Sequence, residues 1–158
     1  MKASKRLGFG FGLTSGVITT LGLLIGLYSG SNSIPIIIAG ILTIAIADAF
    51  SDALAVHISQ ESENQHTTKE IWESTLFTFL FKFIFASIFI VPIILFELSL
   101  AVIISIILGL SLICIFSLNI AKQQNKNYLK VVIEHLTIAV IVIIATYYIG
   151  YYIKKIFI

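Results

Sequence analysis

The sequence predicts an all-α integral membrane protein. It reads as one transmembrane domain over residues 1–158 with five transmembrane helices, amino terminus in the cytoplasm and carboxyl terminus outside. Three observations predict this. Of the 158 residues, 58% are hydrophobic and 11% charged, whereas a soluble domain carries about 25% charged residues. The apolar residues gather into five runs, each of about 20 residues or more, the length a helix needs to cross roughly 30 Å of hydrocarbon. The runs lack the polar–apolar alternation of spanning strands. Finally, the basic residues are segregated: seven (Lys2, Lys5, Arg6, Lys69, Lys122, Lys126, Lys130) fall on one side, against Lys154 and Lys155 on the other. Cytoplasmic loops hold the excess of such residues, which orients the bundle.

The first helix is expected over Leu7–Ser29, and no small-residue cleavage site follows its basic start. The polar turn Gly30-Ser31-Asn32-Ser33 leads to a second helix, Ile34–Ile58, with Pro35 suited to its first turn. The third run, Ile71–Phe96, carries Pro92, which should kink or fray its end. A tight connection at Glu97 makes a hairpin with the fourth, Leu98–Ile120. The fifth, Val131–Ile153, ends among Tyr147, Tyr148, Tyr151 and Tyr152, residues of an interfacial aromatic belt. The lone cysteine, Cys114, reads as a small buried hydrophobe.

The chemistry concentrates in the second run, where Asp48 and Asp52 interrupt an apolar helix. A carboxylate at membrane depth costs about 2.5 kcal/mol or more. At i, i+4 the two share a helix face and repel unless a cation, a proton or a lysine neutralises them. At about 1.5 Å of rise per residue, Lys82 of the third helix lies near the level of Asp48. Ser15, Thr19, Ser51, Thr78 and Glu134 fall in the same layer. A stripe through Asp48, Asp52, Ser59 and Glu63 runs to the cytoplasmic end of the second helix. There His57, Glu61, His66, Glu70 and Glu73 could collect metal, with His57 expected to pair with Glu61. The alternative is a solvated acidic surface. Gly8, Gly12 and Gly16 mark a helix-association face, either within the chain or at a dimer seam.

No phosphate-binding glycine loop, nucleophile–base pair or cysteine-rich metal motif is present, so neither an enzyme nor a nucleic-acid binder is expected, and no permanently bound cofactor. The partner is the lipid bilayer, and the location an integral multi-pass one, the cell membrane in a prokaryote.

The run Gly12-Leu13-Thr14-Ser15-Gly16-Val17-Ile18-Thr19-Thr20-Leu21, with Ile38-Ala39-Gly40-Ile41 and Ala47-Asp48-Ala49-Phe50-Ser51-Asp52, resembles the vacuolar iron transporter family. The likeness is to a short form lacking that family's cytoplasmic metal-binding domain, which is reduced here to a loop around Ser59–Glu70. The resemblance implies a homodimer moving a divalent transition metal, iron or manganese, out of the cytoplasm in exchange for protons, along a path between subunits. Ser15 stands where the family has an acidic residue, and Asp48, Ala49 and Asp52 where it has serine, methionine and glycine. Hard oxygen ligands thus replace a soft thioether. On this reading Asp48 and Asp52, with Ser15, Thr19, Ser59 and Glu63, form the metal pathway, while Lys82 and Glu134 couple or neutralise. The competing readings are a non-transporting membrane scaffold or partner subunit and a passive cation channel. The orientation of Lys82 discriminates: toward the aspartates it argues for internal neutralisation, elsewhere for a bound cation.

Overall fold

Three asparagines set where the chain turns. Asn32, Asn64 and Asn125 each adopt a left-handed backbone, with φ of 51°, 53° and 49°, a conformation that asparagine tolerates better than most residues. In a computed structural model, which describes residues 2–157, they punctuate six helices. These are α1 (Ala3–Ser31), α2 (Ile34–Glu63), α3 (Thr68–Ser87), α4 (Ile90–Leu95), α5 (Leu98–Gln123) and α6 (Tyr128–Phe157). Taking α3 and α4 as one span, five helical segments are long and apolar enough to cross a membrane.

Helix α2 runs five residues beyond its expected end at Ile58. Ser59, Glu61 and Glu63 are therefore helical, and the connection to α3 is Asn64–Thr67 rather than a loop from Ser59 to Glu70. Helix α3 is opened by a capping box, in which Thr67 accepts from the Glu70 backbone and the Glu70 carboxylate accepts from Thr67. The third run breaks at Ile88–Phe89, one turn before Pro92. Proline lacks an N–H and crowds the carbonyl four residues earlier, here that of Ile88. The chain tightens instead, with Phe89 N–H donating to Ala86 O at 3.3 Å and Val91 N–H to Ile88 O at 3.2 Å.

Helix α1 is the axis of the bundle. Its glycines fix the approach of two neighbours that run parallel to it. A Cβ on Gly12 would lie 2.7 Å from Thr78 O and 2.9 Å from Lys82 N, and one on Gly16 would lie 3.0 Å from Lys82 O, so α3 packs backbone to backbone here. The Gly8–Gly12–Gly16 face is thus spent inside the chain, the first of the two alternatives open for it. Gly22, Gly26 and Gly30 face α6, where Thr146 and Gly150 meet them. Helices α2 and α5 run antiparallel to α1, with Gly40 against Leu23 and Leu27, and Gly10 against Phe116. The apolar core joins Leu13, Val17, Leu21 and Leu24 of α1 to Ile37 and Ile41 of α2, Phe89 and Ile93 near α4, and Ile113 of α5.

Large apolar side chains also cover the outside of the bundle. Phe50, Trp72, Leu76, Ile94, Leu95, Ile107 and Leu129 point outward, while Lys82, Ser74, Thr78, Gln60 and Ser117 are buried. That arrangement suits a lipid surround, in which helices gain nothing by hiding apolar side chains and instead associate through close packing and polar contacts.

Candidate ion site between the first three helices

The glycine contact between α1 and α3 brings the Lys82 side chain inward, with 1% of it exposed. Its ammonium meets oxygens of three side chains. Nζ lies 2.5 Å from Asp48 Oδ2, bonds to Asp52 Oδ2, and donates to Ser15 Oγ at 2.9 Å. Ser15 in turn donates a hydrogen bond to Asp52 Oδ2 at 2.6 Å. One turn of α2 separates the carboxylates, so a single ammonium from the facing helix bridges both.

The site is unbalanced: two carboxylates meet one ammonium. The carboxylates are also less enclosed than the lysine, with 33% of the Asp48 side chain and 19% of that of Asp52 exposed. Asp52 accepts from Lys82 and Ser15, whereas Asp48 is held by its ion pair with Lys82 alone. Asp48 is therefore the carboxylate with the more open oxygens.

Of the residues expected in this layer, Ser15, Asp48, Asp52 and Lys82 come together. Thr19 does not, because it is exposed and its hydroxyl donates to its own helix at Ser15 O, 2.8 Å away. Ser51 is exposed on α2. Glu134 is exposed on α6, which packs on α1 and α5, so depth alone misplaced it beside Asp52. The polar contact of α6 with α5 comes instead from His135, whose Nδ1 is 2.8 Å from Ser117 Oγ.

The proposed metal-collecting group is dispersed. His57 shares a hydrogen bond with Thr75 Oγ1 at 3.0 Å, rather than with Glu61, and lies edge-on to Trp72 at 4.8 Å. It backs an apolar groove of about 430 Å³ on the far side of α2 and α3. Glu63 pairs with His66 at 3.1 Å, Glu70 closes the capping box, and Glu73 accepts from Ser4 at 3.0 Å with Lys2 nearby at 3.9 Å. Ser59 and Glu61 are exposed. Among the described residues no three histidine, cysteine, aspartate or glutamate side chains converge as a metal site. A buried pair that the sequence reading missed is Gln60 with Ser74, where the serine hydroxyl donates to the amide oxygen. The visible signal was Ser74, Thr78 and Lys82 at four-residue spacing on α3.

Comparison with family models, with curated proteins and with solved structures finds no match for this chain.

Proposed function

We propose that the chain is an ion-coupled membrane carrier whose working centre is Asp48, Asp52, Lys82 and Ser15. The observation that carries this reading is the surplus carboxylate. A purely structural ion pair needs one aspartate for one lysine. A second, partly open carboxylate at membrane depth adds a cost of about 2.5 kcal/mol or more unless a proton or cation offsets it. Lys82 then serves as a built-in counter-ion. While its ammonium spans both aspartates, the centre holds no divalent cation; when it withdraws, two carboxylates and a hydroxyl are left as an all-oxygen set. Such a set favours hard and borderline divalent ions such as manganese or ferrous iron over soft ones. That cargo class agrees with the resemblance to vacuolar iron transporters, which rests on motifs of the first two helices. A homodimer, also implied by the resemblance, would need a face other than the glycines of α1.

Liposomes test this. The reconstituted chain should take up manganese or ferrous iron under a pH gradient, and Asp48→Asn should reduce uptake at least tenfold. Uptake equal in wild type and variant overturns the site, and wild-type uptake no greater than that of empty vesicles overturns transport.

The Lys82 ammonium is enclosed and turned toward both aspartates, the orientation that argues for internal neutralisation, and this favours a second reading, a membrane scaffold held together by this ion cluster. It expects no rise in thermal midpoint on adding metal. The carrier reading expects a rise, since a ligand that binds only the folded state stabilises it.

A further inference from the structure

The polar groups around Lys82 lie unevenly along the bundle. On α3, Ser74, Thr78 and Lys82 recur every fourth residue and so share one helix face. Ser74 and Thr78 are fully buried, although both stand within a membrane-length helix. Ser74 bonds to Gln60 of α2, itself buried. One residue before it, Glu73 reaches the surface at the amino-terminal end of the bundle, the cytoplasmic side on the count of basic residues. The Thr78 hydroxyl, midway between Ser74 and Lys82, is buried and has no hydrogen-bond partner in the protein. Threonines in helices ordinarily donate to the carbonyl one turn back. Here that carbonyl, Ser74 O, is pressed against Gly8 of α1.

Past Lys82 the same seam turns apolar. Ala86, Phe89 and Ile93 close against Val17, Leu21 and Leu24, interrupted by the hydroxyls of Thr20, Ser87 and Ser105, which also have no hydrogen-bond partner in the protein. On the near side the polar groups step along one face of α3 toward the ion centre, whereas past it the hydroxyls stand singly, one each on α1, α3 and α5.

We propose that this buried face of α3 is a proton file, running from the Glu73 surface through Ser74 and Thr78 to the Asp48/Asp52/Lys82 centre. It deepens the ion-coupled reading above and rests on it for its purpose. An unpaired buried hydroxyl costs about 1–3 kcal/mol, which a water shared with neighbouring polar groups offsets. Such a water links Thr78 to both sides. Each hydroxyl or water along the file gives one proton forward as it accepts one from behind, nothing is oxidised or reduced, and the proton ends on a carboxylate oxygen of Asp48. The charged groups facing the file are Lys2 and Glu73 at its mouth and Lys82, Asp48 and Asp52 at its end.

The test follows the protonation of the centre rather than transport. In the full chain in lipid nanodiscs, the infrared band of protonated carboxyl groups is followed after a rapid drop in pH and assigned by its loss in Asp48→Asn. Thr78→Val, which keeps the shape and removes the hydroxyl, should slow the rise of that band at least tenfold, and Thr78→Ser should restore it. Ser74→Ala should slow it too, and serves as the second probe if the valine variant does not fold. An Asp48 band that rises as fast in Thr78→Val and Ser74→Ala as in wild type overturns the file, as does a wild-type centre that shows no such band. Loss of metal uptake with an intact, Thr78-dependent protonation rate would instead overturn the carrier reading and leave the file standing.

Discussion

Helix α1 carries two glycine ladders, and they meet very different partners. Gly8, Gly12 and Gly16 press on the backbone of α3 around a buried, charged lysine. Gly22, Gly26 and Gly30 meet α6, where the facing groups are Thr146 and another glycine, Gly150. Both contacts use the same device, the absence of side chains, to bring backbones close where no hydrophobic force drives helices together. Only the first must also balance charge. The α1–α3 contact is therefore constrained twice, by shape and by charge, while the α1–α6 contact is constrained by shape and by a neutral hydrogen bond from Ser29 Oγ to Tyr147 O at 2.9 Å.

The largest effect that separates the two is expected from Lys82→Met. It leaves the packing volume nearly unchanged but strands Asp48 and Asp52 without their shared ammonium. Breaking a buried ion cluster by removing one partner costs about 3–5 kcal/mol. A thermal-midpoint measurement in detergent should show that loss at neutral pH. Acidification that protonates the carboxylates should recover part of it, because neutral acids no longer need the ammonium. No equivalent sensitivity exists on the α6 side, whose facing residues carry no charge.

The two ladders can next be compared by adding one methyl group to each. A Cβ on Gly12 meets Thr78 O at 2.7 Å, which is backbone and cannot swing aside, whereas one on Gly26 finds its nearest neighbour, Thr146 O, at 3.4 Å, an ordinary contact. Gly12→Ala should destabilise by about 1–3 kcal/mol, as overpacking does. Gly26→Ala should be neutral, or stabilising by up to about 1 kcal/mol through helix propensity. Equal losses at both positions would mean that Gly26 has no more room than Gly12; the close approach of α6 to α1 falls instead at Gly150, where a Cβ would crowd Gly26 O.

The same contrast separates what the sequence makes legible from what only the packing decides. The five spans were legible because length and hydropathy are local properties, and the shared depth of Asp48, Asp52 and Lys82 because helices entering from opposite sides put them at one level, but not that Lys82 turns toward the aspartates. Ser15 was legible for the same reason. Depth failed for Glu134 and Thr19, since it says nothing about azimuth: α6 turns Glu134 outward, and Thr19 bonds to its own helix. The glycines of α1 announced close packing but not with whom. The acidic residues after Ser59 looked like a cluster in sequence, yet α2 continues to Glu63 and a capping box takes Glu70, so their carboxylates are parcelled out to separate contacts. The break at Ile88 was visible only as Pro92, because the clash falls on the carbonyl one turn earlier.

The smallest expected effect lies in the carboxyl-terminal half. Ser117 and His135 make a side-chain contact between α5 and α6, at 2.8 Å, and the serine also donates to Ile113 O at 2.6 Å. Ser117 is fully buried, and both groups are neutral if the imidazole is unprotonated. A neutral hydrogen bond between membrane helices is worth about 0.6 kcal/mol on average, since the separated helices find other partners. Ser117→Ala should therefore lower stability by about that much and leave ion uptake unchanged, because nothing in this contact reaches the Asp48/Asp52/Lys82 centre. A loss comparable to that of Lys82→Met would show that α5 and α6 depend on buried polar chemistry as heavily as α1 and α3 do, and would end the distinction between the two halves.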